Sequence, residues 1–364
     1  MSIWRWQEFA AKVPADMQVT LGEGGTPLLH SRRIGPSAGL ERLFFKVELA
    51  NPTGSYKDRF ASLAVSDMLA NGRTRCVATS SGNTGAALAA YCAVAGITCE
   101  IAVVETAPES KLRQMLAHGA RIYRVRGFGL DAEITSRTFE CLRQLGKHPD
   151  AALQISAYAF SPVGMAGVQS IAYEVAEQVA GKIDHVFCPA GGGGLALAVA
   201  RGFEMLYSNK RLPSTVRLEC VQPVGNDTIA GPLRKGEDRA RKVICTSQIG
   251  GLQVPDVIDG NETIAASRRS GGTGHLVTDE EVWEAQARLA REEGIFCEPA
   301  GATALAGALQ ASRNGEIAPD ATIVCLVTGS GFKDFASIKR MVGGSAVPII
   351  DIHDLDARCG DHRE

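Results

Sequence analysis

The sequence feature that most constrains this chain is NPTGSYKDR, residues 51–59, which joins an apolar, strand-like run to a helical pattern. Pro52 and Gly54 favour a tight turn, and the threonine and serine beside them can cap the helix that follows. Lys57 is therefore predicted on the first turn of a helix, where the helix dipole disfavours a cation. In a shielded cleft the pKa of its amine would be lowered, and a neutral amine can form a Schiff base with a carbonyl group.

From residue 43 onward, strand-like apolar runs alternate with helical patterns. This alternation is typical of right-handed crossovers and of parallel sheets covered on both faces, so the predicted fold class is α/β with parallel-rich twisted sheets flanked by helices. Ligands of such sheets bind at the carboxyl ends of the strands. The segment 224–260 is left without predicted elements. Strands are predicted at 43–50, 76–80, 98–104, 121–125, 152–156, 185–190, 216–222 and 322–328, and helices at 57–70, 84–95, 109–118, 131–146, 166–180, 195–208, 261–269, 279–293 and 301–312.

Composition excludes several classes of function. The net charge is -2 with acids and bases interspersed, so we expect neither nucleic acid nor a membrane surface as a partner. No apolar run is long enough to span a bilayer, and residues 1–13 do not resemble a signal peptide, so a cytoplasmic protein is expected. The ten cysteines are scattered and form no CxxC pair, which predicts buried, reduced thiols and no metal site.

A polar cluster, SSGNTG at 80–85, follows the second predicted strand and opens a helix. The N–H groups at a helix start can bind an anion, and the hydroxyl and amide groups suit a carboxylate and a phenolic oxygen. A capped turn without a ligand is the alternative. The candidate residues of this cluster are Ser80, Ser81, Asn83 and Thr84.

Two further clusters also follow predicted strands. The first is a run of four glycines whose main-chain N–H groups can surround a phosphate at a helix start; a turn without a ligand is the alternative. The second places the hydroxyl of Thr328 in the same cleft as a neutral hydrogen-bond partner. The glycine run comprises Gly191, Gly192, Gly193 and Gly194.

A lysine nucleophile, a phosphate cup and neutral donors are the groups that pyridoxal 5'-phosphate requires. Five motifs occur in order over about the first 340 residues: LGEGGTPLL, NPTGSYKDR, SSGNTG, CEPAGA and TGSGFKD. On these motifs the chain resembles the tryptophan-synthase-β family of pyridoxal-phosphate enzymes, which have fold type II. Within that family its motifs are most similar to those of threonine synthases.

The resemblance implies a role for each cluster. Lys57 would form the Schiff base and shuttle protons, Asn83 would bind the 3′ oxygen of the cofactor, and Thr328 would face its pyridine nitrogen. A hydroxyl group there, rather than a carboxylate, leaves that nitrogen largely unprotonated, which suits elimination and replacement. The cofactor phosphate would lie in the cup formed by Gly191, Gly192, Gly193 and Gly194, and the substrate carboxylate would bind Ser80, Ser81 and Thr84.

The resemblance also implies an organisation of the whole chain. Residues 1–55 and 162–345 would form a large domain that binds the cofactor phosphate, 56–161 a small mobile domain, and 346–364 a C-terminal tail. A homodimer acting on a small amino-acid substrate is expected from the family.

The motifs leave the reaction open. Threonine synthases usually carry Gly-Asn-Ala-Gly-Asn in the phosphate cup, whereas four glycines resemble the serine and threonine dehydratases. The stretch 158–164 also lacks the arginine and asparagine with which threonine synthases bind the substrate phosphate. One reading is therefore a threonine synthase-like lyase acting on O-phosphohomoserine, and the second is a dehydratase or β-replacement enzyme. A catalytically silent, cofactor-binding homologue is the third.

Overall fold

Two parallel-rich sheets form the framework of the protein. The structure is a computed structural model that describes residues 2–9, 12–345 and 347–355. Its strands are β1 (Leu28–His30), β2 (Leu43–Val47), β3 (Arg75–Thr79), β4 (Thr98–Val104), β5 (Arg121–Val125), β6 (Ala151–Gln154), β7 (His185–Pro189), β8 (Arg217–Pro223), β9 (Gly274–Val277) and β10 (Ile323–Val327).

The helices cover the sheets and connect their strands. Within the described residues, no helix is long and apolar enough to cross a membrane. They are α1 (Ile34–Ser37), α2 (Lys57–Ala70), α3 (Asn83–Ala95), α4 (Glu109–Ala117), α5 (Ala132–Gly146), α6 (Pro162–Val168), α7 (Ser170–Gln178), α8 (Gly194–Ser208), α9 (Ala230–Arg234), α10 (Gly260–Arg269), α11 (Asp279–Glu293), α12 (Pro299–Arg313) and α13 (Phe335–Val342). Short 3-10 turns lie at Ile3–Phe9, Ala15–Met17, Glu48–Ala50, Val224–Asn226 and Gly331–Lys333.

The larger sheet has six strands in the order β1-β2-β10-β7-β8-β9. Only β1 is antiparallel to its neighbour, and the other pairs are parallel. The strands β7 and β10 are buried along their whole length, as expected for central strands covered on both faces. Because β2 and β10 are neighbours, the loops that follow residues 47 and 327 leave the sheet side by side.

The smaller sheet is built from four parallel strands in the order β5-β4-β3-β6. All four lie between residues 75 and 154, which falls inside the range predicted for the small domain. The domain boundaries themselves stay a prediction. The predicted α/β class with parallel-rich sheets is confirmed.

The observed elements differ from the predicted ones in a few places. Strands β1 and β9 were not predicted, since they have only three and four residues and show too little pattern to identify. The helix predicted at 166–180 is two helices, α6 and α7. Helix α6 begins earlier than predicted because Pro162 occupies its first turn, where the missing N–H has no consequence.

A buried network of charged side chains attaches helix α2 to strand β2, to the turn after it and to helix α7. Arg59 Nε donates to Glu48 Oε2 and Arg59 Nη1 donates to Glu174 Oε1, both at 2.7 Å. Lys46 Nζ donates to the second oxygen of Glu174, also at 2.7 Å. Burial alone would raise the pKa of Glu174, but the two cations outweigh it and hold that pKa at about 2. Gly25 N donates to Glu174 Oε1 at 2.8 Å, so the LGEGGTPLL motif is bound to this network.

Three of the buried cysteines converge in the small-sheet core. Cys76 of β3, Cys92 of α3 and Cys99 of β4 have their sulfur atoms within 4.8 Å of one another. All three are free thiols, as are Cys188, Cys220, Cys297 and Cys325 in buried positions. The prediction of buried thiols is therefore confirmed for these seven, but their spacing did not indicate that three of them meet.

Candidate active site

The predicted site residues come together where strands of both sheets end. Lys57 follows β2, the serine-rich loop follows β3, the glycine run follows β7 and Thr328 follows β10. Carboxyl ends of parallel strands share one edge of a sheet, which is why residues far apart in the chain meet here.

Lys57 is the first residue of α2 and is half-buried. Its Nζ donates a hydrogen bond to Ser156 Oγ at 2.8 Å and lies 4.4 Å from the centre of the Tyr56 ring. Burial lowers the pKa of Lys57 to about 7, although the negative charges of Glu298 and Asp259 oppose the shift. A substantial fraction of the amine is therefore neutral, and nucleophilic, near neutral pH.

Ser156 connects Lys57 to the serine-rich loop. Its hydroxyl oxygen lies 2.9 Å from Thr84 Oγ1 as well as 2.8 Å from the lysine nitrogen. The sequence predicted residues 152–156 as a strand and gave Ser156 no role, whereas β6 ends at Gln154. The available signal was a serine next to the carboxyl end of a strand, which is where site residues of such sheets lie.

The turn before Lys57 is paired with the loop after β10. Ser330 N donates to Gly54 O at 2.9 Å, and Tyr56 N donates to Thr328 O at 3.1 Å. Gly54 has a φ of +86°, a conformation that favours glycine. Thr328 is buried, and its hydroxyl makes no hydrogen bond to any residue that the structure describes. Its polar group thus remains available beside the lysine.

The start of α3 is open on the cleft side. Ser80 Oγ accepts from Gly82 N at 3.2 Å, and no side chain caps the helix. The N–H groups of Ser81, Asn83 and Thr84 find no acceptor in the described part of the chain. Uncapped N–H groups at a helix start favour an anion, so the geometry is suited to a carboxylate.

Glu298 belongs to the same cleft, at the start of α12. Asn83 Nδ2 donates to its Oε1 at 2.8 Å, and the Glu298 side chain makes no capping bond to its own helix. Burial raises the pKa of Glu298 to about 7, while Asn83 and nearby lysines oppose the shift. A Cβ atom at Gly329 would lie 2.3 Å from the carboxylate, so the glycine is needed for this close approach.

The glycine run Gly191–Gly194 joins β7 to α8. Gly193 has a φ of +93°, and a Cβ atom there would lie 2.5 Å from Thr263 Oγ1. A Cβ atom on Gly194 would lie 3.1 Å from Ser156 O, which places the run directly beside the Lys57 contact. The N–H groups of residues 191–193 have no acceptor among the described residues, and α8 has no side-chain cap. These are the properties of a main-chain phosphate cradle.

Asp259, which the sequence analysis did not single out, holds the main chain at residues 158 and 159, just after Ser156. Its two oxygens accept from Tyr158 N at 2.8 Å and from Ala159 N at 3.3 Å. The residue is buried, and burial raises its pKa. It lies in the segment 224–260, where the sequence pattern allowed no assignment.

The donor set as a whole matches a ligand that carries a phosphate and a carbonyl group. Open N–H groups would hold the phosphate, a partly neutral amine would meet the carbonyl group, and the unpartnered Thr328 hydroxyl would meet a neutral ring atom. The described residues therefore fit pyridoxal phosphate, on the chemistry of their side chains and main chain alone.

Comparison with known proteins gives the same result. The model of the family described as "Pyridoxal-phosphate dependent enzyme" matches residues 19–329. The chain is 33% identical over 340 residues to a threonine synthase of Methanocaldococcus jannaschii, covering 92% of this chain and 81% of that protein. It is 34% identical over 336 residues to a threonine synthase of Mycobacterium leprae, with coverages of 91% and 88%. The solved structure of threonine deaminase isoform 2 from Solanum lycopersicum shares the fold, with a TM-score of 0.74, 21% identity and 94% coverage of each chain.

Proposed function

Because the chain belongs to the family of pyridoxal-phosphate dependent enzymes, we propose that it converts O-phosphohomoserine and water to threonine and phosphate. It is a pyridoxal-phosphate dependent lyase of fold type II, and the proposal concerns its substrate. Support comes from threonine synthases of two organisms that share a third of their residues with it along more than nine-tenths of its length. The observation that carries the chemistry is the Lys57–Ser156–Thr84 chain beside the glycine run.

Each part of the site would hold one part of the cofactor. The run 191–194 would bind its phosphate, Asn83 its 3′ oxygen and Thr328 its ring nitrogen. When bound, the cofactor supplies an electron-withdrawing ring that makes the Cα proton of an attached amino acid acidic. A hydroxyl partner for the ring nitrogen favours elimination over transamination.

Lys57 would move the protons of the reaction. Its pKa near 7 allows the same nitrogen to accept a proton from Cα and to return one later. The Ser156 hydroxyl group accepts a hydrogen bond from this nitrogen and holds it in place, and Thr84 Oγ1 in turn contacts Ser156. In the overall reaction protons leave Cα and Cβ and the phosphate group leaves Cγ. Water then supplies the hydroxyl group at Cβ, protons are added at Cα and Cγ, and the remaining proton goes to the released phosphate.

The loop before α3 would hold the substrate. Its open N–H groups and the hydroxyls of Ser80, Ser81 and Thr84 suit the α-carboxylate. The small domain, residues 56–161, would close on the bound substrate and exclude water. Hydrogen bonds already join the two sides of the cleft, among them those from Asn83 to Glu298 and from Lys333 to Gln114.

A second candidate function is the deamination of serine or threonine. The observation that favours it is the glycine run, which resembles that of the dehydratases, together with the absence of arginine from residues 158–164. In that reaction the amino group leaves as ammonia after loss of the β-hydroxyl group, and a 2-oxo acid remains. The site would be the same, whereas the substrate, the carbon that carries the leaving group and the product differ.

The test is phosphate release from O-phosphohomoserine by the purified, cofactor-loaded protein, with 2-oxo acid formation from serine and threonine measured in parallel. Threonine formed in equal amount to phosphate supports the proposal. A 2-oxo acid from serine or threonine without phosphate release rejects it in favour of deamination. Lys57→Ala is the control and should abolish either activity by at least about a thousandfold.

The proposal extends to the assembly and the location of the protein. A homodimer in the cytoplasm is what the resemblance to this family implies, and size-exclusion chromatography with light scattering tests the first part. A monomer at micromolar concentration that retains full activity would reject the dimer.

A further inference from the structure

Two lysine side chains outside the catalytic set approach the cleft from opposite sides. Lys111 lies on α4 of the small-sheet half, and Lys333 lies in the 3-10 turn Gly331–Lys333 of the large-sheet half. Lys333 Nζ donates to Gln114 Oε1 at 2.8 Å. Residues three apart on a helix lie on the same face, so Gln114 brings Lys333 to the face of α4 that carries Lys111.

Both lysines act on groups of the cleft, and Lys333 Cε lies 3.1 Å from the Cβ position of Gly54, in the turn before Lys57. Their charges act on Glu298, whose pKa they lower against the effect of burial. Glu298 in turn accepts the hydrogen bond of Asn83, at the start of the helix where we place the substrate carboxylate. Both lysine side chains are half-buried, at the edge of the site.

Neither lysine is neutralised by a dedicated partner. In the part of the chain that the structure describes, neither Lys111 nor Lys333 forms an ion pair with a carboxylate. Lys111 Nζ lies 3.1 Å from the Cβ position of Gly250, and Asp334 Oδ2 lies 3.7 Å from the same point. Asp334 caps α13 through its other oxygen, Oδ1, which accepts from Ser337 N.

The environment of Lys333 disfavours its charge. Burial lowers the pKa of Lys333, and the charges of Glu298 and Asp58 offset this only in part. An anion bound between the two ammonium groups would offset this unfavourable effect, which is how paired cations act in phosphate sites.

We propose that Lys111 and Lys333 together bind the anionic group at the end of the substrate side chain, so that the enzyme selects amino acids with an anionic leaving group over neutral ones. In this chain the pair would supply the positive charge that residues 158–164 lack. The inference rests on the proposed function for the identity of the anion, which would be a phosphate. It extends that function by naming the residues that recognise the leaving group.

The test measures binding to the holoenzyme. O-Phosphohomoserine and O-phosphoserine are compared with homoserine and serine by the change in cofactor absorbance and by calorimetry. The variants are Lys111→Gln, Lys333→Gln and the double variant. Arg113→Gln is the matched control, because Arg113 is an exposed cation on the same helix. Retained cofactor absorbance and an unchanged melting temperature show that each variant is folded.

We expect each lysine variant to raise the Kd of the phosphorylated ligands about tenfold and the double variant more, since each loses one charge-assisted contact. The neutral ligands should change by less than about twofold, as should all ligands with the control. Equal losses for anionic and neutral ligands, or no loss, would overturn the proposal and leave the lysines as counterions of Glu298.

The outcomes also separate the two proposals. Selective anion binding without turnover of O-phosphohomoserine would reject the proposed reaction and keep the lysine pair. Turnover with an unchanged KM in both lysine variants would keep the reaction and reject the pair. Wild-type protein that binds phosphorylated and neutral amino acids equally well would also reject the pair.

Discussion

Lys57 and Glu298 are a base and an acid whose pKa values burial moves toward each other, both to about 7. The shift is downward for the lysine and upward for the glutamate, because burial disfavours the charged form of each. Near neutral pH both groups can exchange protons at little cost. This property of two residues is what suits the cleft to proton transfer.

The first prediction concerns the pH dependence of cofactor attachment. Only the neutral amine reacts with an aldehyde, so the rate at which the cofactor-free protein binds pyridoxal phosphate should rise with pH through about 7 and then level off. In Glu298→Gln the ammonium form loses a stabilising negative charge, which lowers the pKa of Lys57 and moves the midpoint below 7. Stopped-flow absorbance at a series of pH values measures this. Glu280→Gln, an exposed change, should leave the midpoint in place; a midpoint near 10 in the wild type would contradict the prediction.

The second prediction tests Ser156, which the sequence did not identify. Ser156→Ala removes the hydroxyl that orients Lys57 and Thr84, and we expect kcat/KM to fall about 10- to 100-fold, the usual loss for a hydrogen bond to a charged group. Cofactor content should stay at wild-type level, because no contact of the glycine run uses that hydroxyl. Steady-state kinetics and absorbance together measure the two quantities. Unchanged kinetics would show that Lys57 needs no such partner.

Among the structural elements, the junction of β7 and α8 combines two demands on glycine. The backbone conformation requires glycine at position 193, since φ is positive there and a side chain would collide with Thr263. Gly192 has open space, with the nearest side-chain atom, Val254 Cγ1, 3.8 Å from its Cβ position. Substituting each in turn therefore separates strain in the loop from access to the phosphate.

The third prediction follows from that contrast. Gly193→Ala should lower the free energy of unfolding by about 1–3 kcal/mol and also weaken cofactor binding, because the loop must shift. Gly192→Ala should leave the free energy of unfolding nearly unchanged, so any loss of affinity would report contact with the phosphate itself. Denaturant unfolding of the cofactor-free proteins and titration with pyridoxal phosphate measure both. Equal destabilisation by the two substitutions would contradict the assignment of strain to Gly193.

The same elements show what could be predicted from the sequence. The loops that carry Lys57, Asn83, Gly193 and Thr328 were recognisable, because each follows a predicted strand. The hydrogen bond from Lys57 to Ser156 was not, since it joins residues 99 positions apart and depends on how the two sheets pack. The local pattern of apolar residues identifies helices and strands. It contains little information about which side chains of different elements contact each other.

Across the whole molecule, the buried ions around Arg59 connect the N-terminal segment, β2, α2 and α7. Arg59 has no exposed side-chain surface, and its two carboxylate partners are almost as buried. Removing one member of such a set leaves an uncompensated charge in the interior. The network therefore affects the stability of the entire chain and not only of the helix that carries Lys57.

The fourth prediction is made at that scale. Arg59→Met should lower the free energy of unfolding by about 3–5 kcal/mol. Arg143→Met, which removes an exposed arginine paired with Glu140, should cost less than about 0.5 kcal/mol. Chemical denaturation compares them, and similar losses for both would contradict the importance of the network.

Acid should lower the free energy of unfolding by protonating a carboxylate of the same network. The pKa of Glu174 is about 2 in the folded protein, below its value of 4.5 in an unfolded chain. The stability that this carboxylate contributes is therefore complete above pH 4.5 and is lost as the pH falls toward 2. Glu174→Gln should flatten the acid limb of the stability curve, measured by unfolding at several pH values. An acid limb as steep as that of the wild type would contradict this role.

The order of strands in the large sheet has a consequence for biosynthesis. Strand β2, which leads to Lys57, lies between β1 and β10, and among the described strands β10 is the last to leave the ribosome. The four strands of the small sheet are contiguous in sequence and can fold on the ribosome, whereas β2 keeps an open edge until residue 327 has emerged. Thr328 arrives at the same moment. We therefore expect the nascent chain to capture the vitamin-derived cofactor only after residue 328 has left the ribosome.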